Sequence, residues 1–162
     1  MTPPRVLVAG IGNVFLGDDG FGVAVAGRLR TRSYPAGVEV VEFGIRGFDL
    51  AYALARYDAA ILVDTVSRGG PPGTLYVLEP EQLAGPIAAS PHSMTPDRVL
   101  RWVPEGCAPK TIRIVGCQPA TFGPEGVGFE GLSSPVQAAV DEAMLVVDSL
   151  IGEFTSGGIP RA

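Results

Sequence analysis

Five short apolar runs, each bounded by glycine or an acidic residue, recur along the chain: Arg5–Ala9, Val38–Phe43, Ala59–Thr65, Thr74–Glu79 and Thr111–Cys117. Their length and their bounding residues predict strands. Between them the spacing becomes helical. Phe21, Val25 and Leu29 fall four apart within Gly20–Arg32, and two more helices are predicted over Phe48–Arg56 and Thr95–Val103. Near the end, Ser133-Ser134-Pro135 has the form of an N-cap followed by proline at the first helical position. Val136, Val140, Ala143, Val147 and Leu150 then trace one apolar stripe.

Strands alternating with helices predict an α/β fold of three layers, a twisted and mostly parallel sheet of about five strands with helices on both faces. The connection "SRGGPPGT" at 67–74 is short, so the strand at 74–79 is expected to run antiparallel to its predecessor. Gln118–Gly131 is rich in glycine and proline and is expected to form a long ordered loop. One domain is expected over 1–151, with 152–162 as a flexible C-terminal tail.

At 162 residues the chain fits a single domain with a substantial core. A net charge of −5 and twelve scattered Lys and Arg residues speak against a nucleic-acid partner. No apolar run approaches the ~18 residues of a membrane span, and the N-terminus lacks the long apolar segment of a secretion signal. A cytoplasmic protein with no membrane partner is expected. Cys107 and Cys117, the only cysteines, match neither zinc-knuckle nor CxxC spacing. They are expected to be two buried small hydrophobes.

The first predicted strand runs into "GIGNVFLGDDGFG", residues 10–22. A dinucleotide fingerprint needs a third glycine where this chain has Phe15, and a phosphate-binding loop needs a lysine that is absent here. Asp18 and Asp19 would in addition repel a phosphate, by about 1 kcal/mol per pair of charges at ~4 Å even in high dielectric. Helix capping accounts for one acid of the pair. The other is left at the C-terminal edge of the first strand, available for chemistry.

The third strand, "AAILVDT", ends in Asp64, and in an open α/β sheet ligands bind beyond the carboxyl ends of strands, where strand order reverses. The first and third strands are expected to flank such a point. An acid there also serves as an ordinary turn-former. His92, the sole histidine, stands in "SPHSMTP" ahead of a predicted helix and is expected on a loop. Two carboxylates and one imidazole brought to one sheet edge would form a three-ligand N/O site suited to nickel, zinc, iron or manganese.

The blocks "GIGNVFLGDDGFGVAVAGRL", "ILVDT", "SPHSM" and "VGCQP" followed by "GLSSPV" resemble the hydrogenase maturation endopeptidases, in the same order and over about residues 5–150. The resemblance implies a peptidase that removes a C-terminal extension from the nickel-loaded large-subunit precursor of a nickel–iron hydrogenase. It implies Asp19, Asp64 and His92 as the catalytic, metal-contacting residues. The nickel would be carried by the substrate, and other divalent metals could substitute. The implied fold is a mainly parallel sheet of about five strands between helices. A monomer is expected.

Two positions depart from the family pattern. Its first-block acid is often Glu, one methylene longer than Asp19. Its second strand commonly ends Asp-Gly-Gly-Thr, where this chain has Glu42-Phe43-Gly44-Ile45. No G-x-S-x-G elbow and no H-E-x-x-H helix is present, which excludes those two hydrolytic designs. Asp18 or Glu42 is the candidate for an assisting base. The rival expectation is a module of the same fold that binds a metal or a metallated peptide without cutting it. A metal-dependent phosphohydrolase is disfavoured by the lack of cations in these loops.

Overall fold

A computed structural model describes residues 2–83 and 95–156. Strand β1 (Val6–Ile11) is buried along its whole length, and the other strands assemble around it. These are β2 (Val38–Gly44), β3 (Ala59–Thr65), β4 (Leu75–Leu78) and β5 (Thr111–Cys117). The sheet order is β2-β1-β3-β5-β4, parallel throughout except for β4. Continuous apolar runs such as Val6–Ala9 and Ala59–Val63 suit parallel strands that are covered on both faces. The expected three-layer α/β fold is observed.

Alternation along β1 and β3 divides the core in two. Val6, Val8, Ile61 and Val63 face α1 (Phe21–Leu29) and α4 (Ser134–Thr155). Leu7, Ala9, Ala60 and Leu62 face the layer holding α2 (Gly47–Leu54) and Val99 of α3 (Pro96–Trp102). The α4 stripe packs as expected, with Val136, Val140, Ala143, Val147 and Leu150 all buried. Ser133 takes the N-cap position and Pro135 lies in the first turn, although the Ser133 hydroxyl bonds elsewhere.

Several details differ from the sequence expectations. Strand β4 does run opposite to β3, but its hydrogen-bonded neighbour is β5, which lies between them. The 67–74 connection therefore crosses over β5 instead of closing a hairpin. It is tied down by Gly73 N–H to the Gln118 carbonyl and Gln118 N–H to the Thr74 carbonyl, at 2.9 and 2.8 Å.

Helix α4 continues beyond residue 152 to Thr155, with Phe154 buried in the core, so residues 152–155 are helical. Residues 157–162 lie outside the described residues. Of the two cysteines only Cys117 is buried, and Cys107 is exposed in the turn before β5. Burial pushes the Cys117 thiol up to about 12, with the Asp18 charge adding to the rise.

The close fit of α1 to the sheet has a local cause. A Cβ on Gly22 would overlap the carbonyl oxygens of Val63 and Ile11. Glycine at 22 therefore lets the first turn of α1 rest directly on the backbones of β1 and β3, where strand order reverses. The close-approach glycine that Phe15 fails to provide comes seven residues later. Among the described residues no helix is long and apolar enough to cross a membrane.

Candidate active site

Strand β1 feeds into Gly12, whose N–H donates to the Gly44 carbonyl at the end of β2. Gly12 has φ of +133°, and a Cβ there would overlap the Asp19 carbonyl oxygen and stand 3.3 Å from Asp64 Oδ1. Only glycine fits this crossing. The chain then turns through Asn13–Leu16 into a short 3-10 turn, Gly17–Gly20, ahead of α1. Both acids lie in that turn. Neither caps α1, whose N-cap is Gly20 and carries no side-chain bond.

Asp18 and Asp19 have separate tasks. Asp18 is fully buried and points away from the strand edge into the 118–133 loop. Its Oδ2 accepts from Ala120 N–H at 2.8 Å, Thr121 N–H at 3.0 Å and the Ser133 hydroxyl at 2.8 Å, while Oδ1 accepts from Ser133 N–H at 2.6 Å. Burial alone would raise this carboxyl. The bonds from Ser133, Thr121 and Ala120 outweigh it and hold Asp18 below the usual carboxylate range. Asp18 thus anchors the start of α4, where helix-start duty at α1 was expected.

Asp19 faces the sheet edge and is 7% exposed. Its Oδ2 accepts from Asn13 N–H at 2.8 Å, and its Oδ1 accepts from the Thr65 hydroxyl at 3.3 Å. Burial pushes its carboxyl up, and these two bonds only partly offset the rise. Asp64, at the end of β3, is 1% exposed, and its Oδ1 accepts from Thr65 N–H at 2.7 Å. Burial, then the charge of Asp19, push Asp64 well above the usual carboxylate range, with Asp97 on α3 adding to the rise.

The expected pairing of Asp19 with Asp64 at the reversal between β1 and β3 is therefore present. His92 lies outside the described residues. Among the described residues no three of His, Cys, Asp and Glu are grouped as a metal site. The two candidate assisting bases are engaged elsewhere. Asp18 is saturated by its four donors, and Glu42 Oε2 pairs with Arg30 at 3.3 Å while its other oxygen stands over Gly27 on α1.

Asn13 and Thr65, the two donors to Asp19, are not among the sequence-predicted site residues. Asn13 bears a recognisable signal, an Asn after Gly in a turn, where its Oδ1 accepts from Phe15 N–H at 2.9 Å. Thr65 has none beyond following Asp64. The glycine-rich turn is also joined to the 118–131 loop by Gly17 N–H to the Phe129 carbonyl at 2.7 Å and Phe129 N–H to the Phe15 carbonyl at 2.8 Å. Phe15, Phe122, Val127 and Phe129 stand exposed along this seam.

Two acids buried together beyond the strand ends, the charge of one raising the other, suit chemistry better than a packing role. Comparison with known proteins agrees. Residues 23–149 match the sequence profile of the HycI hydrogenase maturation protease family. The hydrogenase 2 maturation protease of Escherichia coli K12 is 32% identical over 162 residues, spanning 97% of this chain and 96% of the relative. The hydrogenase expression/formation protein HupD of Rhodobacter capsulatus is 30% identical, over 96% of this chain and 77% of that protein.

The solved structure of the hydrogenase maturating endopeptidase HybD from E. coli superposes with a TM-score of 0.79 at 32% identity, covering 94% of each chain. A [NiFe] hydrogenase maturation protease HycI from Thermococcus kodakarensis gives 0.72 at 26% identity, over 96% of this chain and 94% of that one. The whole-chain similarities include the glycine-rich turn that precedes the profile match. This chain therefore belongs to the hydrogenase maturation protease family.

Proposed function

We propose that this protein removes the C-terminal extension of a nickel-loaded nickel–iron hydrogenase large-subunit precursor, with Asp19, Asp64 and His92 engaging the nickel that the substrate carries. The observation that carries the reading is the Asp19–Asp64 pair, buried together at the strand edge, with the charge of Asp19 adding to the rise of Asp64. Such a pair is stabilised by an arriving cation, which makes recognition conditional on metal loading. Two carboxylates and an imidazole form a hard to intermediate donor set that accepts nickel. A cation held there would supply Lewis-acid chemistry, polarising a neighbouring carbonyl.

The chain's own groups have distinct parts in this reading. Asn13 N–H and the Thr65 hydroxyl orient Asp19, and Thr65 N–H orients Asp64. With Asp18 and Glu42 engaged elsewhere, Asp64 and Asp19 are the carboxylates available to take or return a proton at the scissile bond. The exposed seam at Phe15 and Phe129 fits a protein substrate. In the same reading the enzyme acts in the cytoplasm as a monomer.

The test is incubation with nickel-loaded and nickel-free cognate precursor, followed by mass spectrometry of its C-terminus. The loaded form should lose its extension and the nickel-free form should not. An uncut loaded precursor would remove the peptidase reading, and equal cutting of both forms would remove the metal gate. Asp19→Ala, Asp64→Ala and His92→Ala should each abolish processing; full activity in His92→Ala would break the three-ligand assignment.

A further inference from the structure

Thr65 reaches both acids, and it does so with two different groups. Its hydroxyl donates to Asp19 Oδ1 and also lies within reach of the Asp64 carboxylate, bridging the two acids, while its backbone N–H donates to Asp64 Oδ1. The amide is held by the strand and survives any substitution other than proline. The hydroxyl is the replaceable half. At 3.3 Å it is also longer than the ~2.7–2.8 Å usual for O–H···O bonds, leaving room to tighten when the site is filled.

We infer that the Thr65 hydroxyl is a positioning group for hydrolysis, fixing the orientation of Asp19 relative to Asp64 across the strand edge. The inference rests on the peptidase reading above. Asp19 Oδ2 is already held by Asn13 N–H, so the two donors together determine both ends of the carboxylate and hence its plane. Without the hydroxyl, Asp19 retains one anchor and is free to swing away from the like charge of Asp64. The cost falls on the reacting geometry, and docking of the precursor is left intact.

Thr65→Val removes the hydroxyl at nearly constant shape, Thr65→Ser keeps it, and Thr65→Ala supplies a second hydroxyl-free chain should valine fail to fold. Processing of nickel-loaded precursor is followed with separate kcat and KM, with melting temperatures as a check on folding. Thr65→Val and Thr65→Ala should lose about tenfold in kcat with KM within about twofold, and Thr65→Ser should return to within about threefold of the parent. A crystal structure of Thr65→Val should show Asp19 Oδ1 turned from its present position.

Parental kcat in both hydroxyl-free variants would overturn the inference. So would a Thr65→Ser rate as low as that of Thr65→Val, or a change confined to KM. An inactive parent enzyme would instead overturn the peptidase reading on which the inference rests.

Discussion

Asp18 and Ser133 are joined twice, backbone N–H to Oδ1 at 2.6 Å and hydroxyl to Oδ2 at 2.8 Å, across 115 residues of sequence. Ala120 and Thr121 share the same carboxylate, so one side chain closes the glycine-rich turn onto the loop that leads into α4. Asp18→Ala leaves three backbone donors and a hydroxyl in need of partners. It should lower stability by about 3 kcal/mol or more in urea denaturation. A loss under about 1 kcal/mol would mean that water replaces the clamp.

The neighbouring acids have opposite pH signatures. Asp18 is depressed in the folded state, so its contribution is present above the unfolded value of about 3.9 and is lost as the pH falls through its lower folded value. Asp64 is raised, so the folded state holds its proton to higher pH than the unfolded chain. Its ionisation costs stability in full above the folded value, and the cost is relieved as the pH falls toward about 4. Asp64→Asn should therefore abolish processing yet stabilise the fold at pH 7 by about 1 kcal/mol, a gain that vanishes near pH 4. Thermal melts across that range give the answer, and a destabilised Asp64→Asn at pH 7 would contradict it.

Phe15 is 61% exposed while its backbone is fixed on both sides, by Asn13 Oδ1 and by Phe129. Phe15→Ser should leave the melting temperature within about 2 °C, because little apolar area is withdrawn from the core. KM for the precursor should rise about tenfold, with kcat little changed. An unaltered KM would place the substrate on another surface.

Two glycines predict opposite outcomes for the same substitution. Gly22→Ala places a methyl against the Val63 and Ile11 carbonyls and should cost about 3 kcal/mol or prevent folding. Gly152 lies inside α4 with open space around its Cβ position, so Gly152→Ala should stabilise by about 0.5–1 kcal/mol through helix propensity. No gain at Gly152 would indicate that the helix frays before Phe154, despite the burial of that side chain.

The sequence by itself determined the element order, the layer arrangement and the acid that closes the third strand. These are carried by local patterns: apolar runs too short for helices, four-residue spacing along α1 and α4, and an acid closing the apolar run of β3. Asp64 was legible because a parallel sheet brings its carboxyl ends to one edge, so a residue at a strand end lies there by topology.

Which of two adjacent aspartates faces that edge was implied by the family resemblance alone, and the tertiary structure supplies the physical reason. Asp18 and Asp19 are alike in type and setting; the donors of Ala120, Thr121 and Ser133 drew one of them inward, and nothing in residues 10–22 encodes where that loop returns. The same holds for Glu42, engaged by Arg30 just past α1, and for Thr65, whose reach to Asp19 depends on the 3-10 turn meeting the end of β3. Periodicity is a property of neighbours in the chain, whereas partnership of a buried polar group is a property of neighbours in space. Each buried carboxylate must find its donors there, and only the folded chain supplies them.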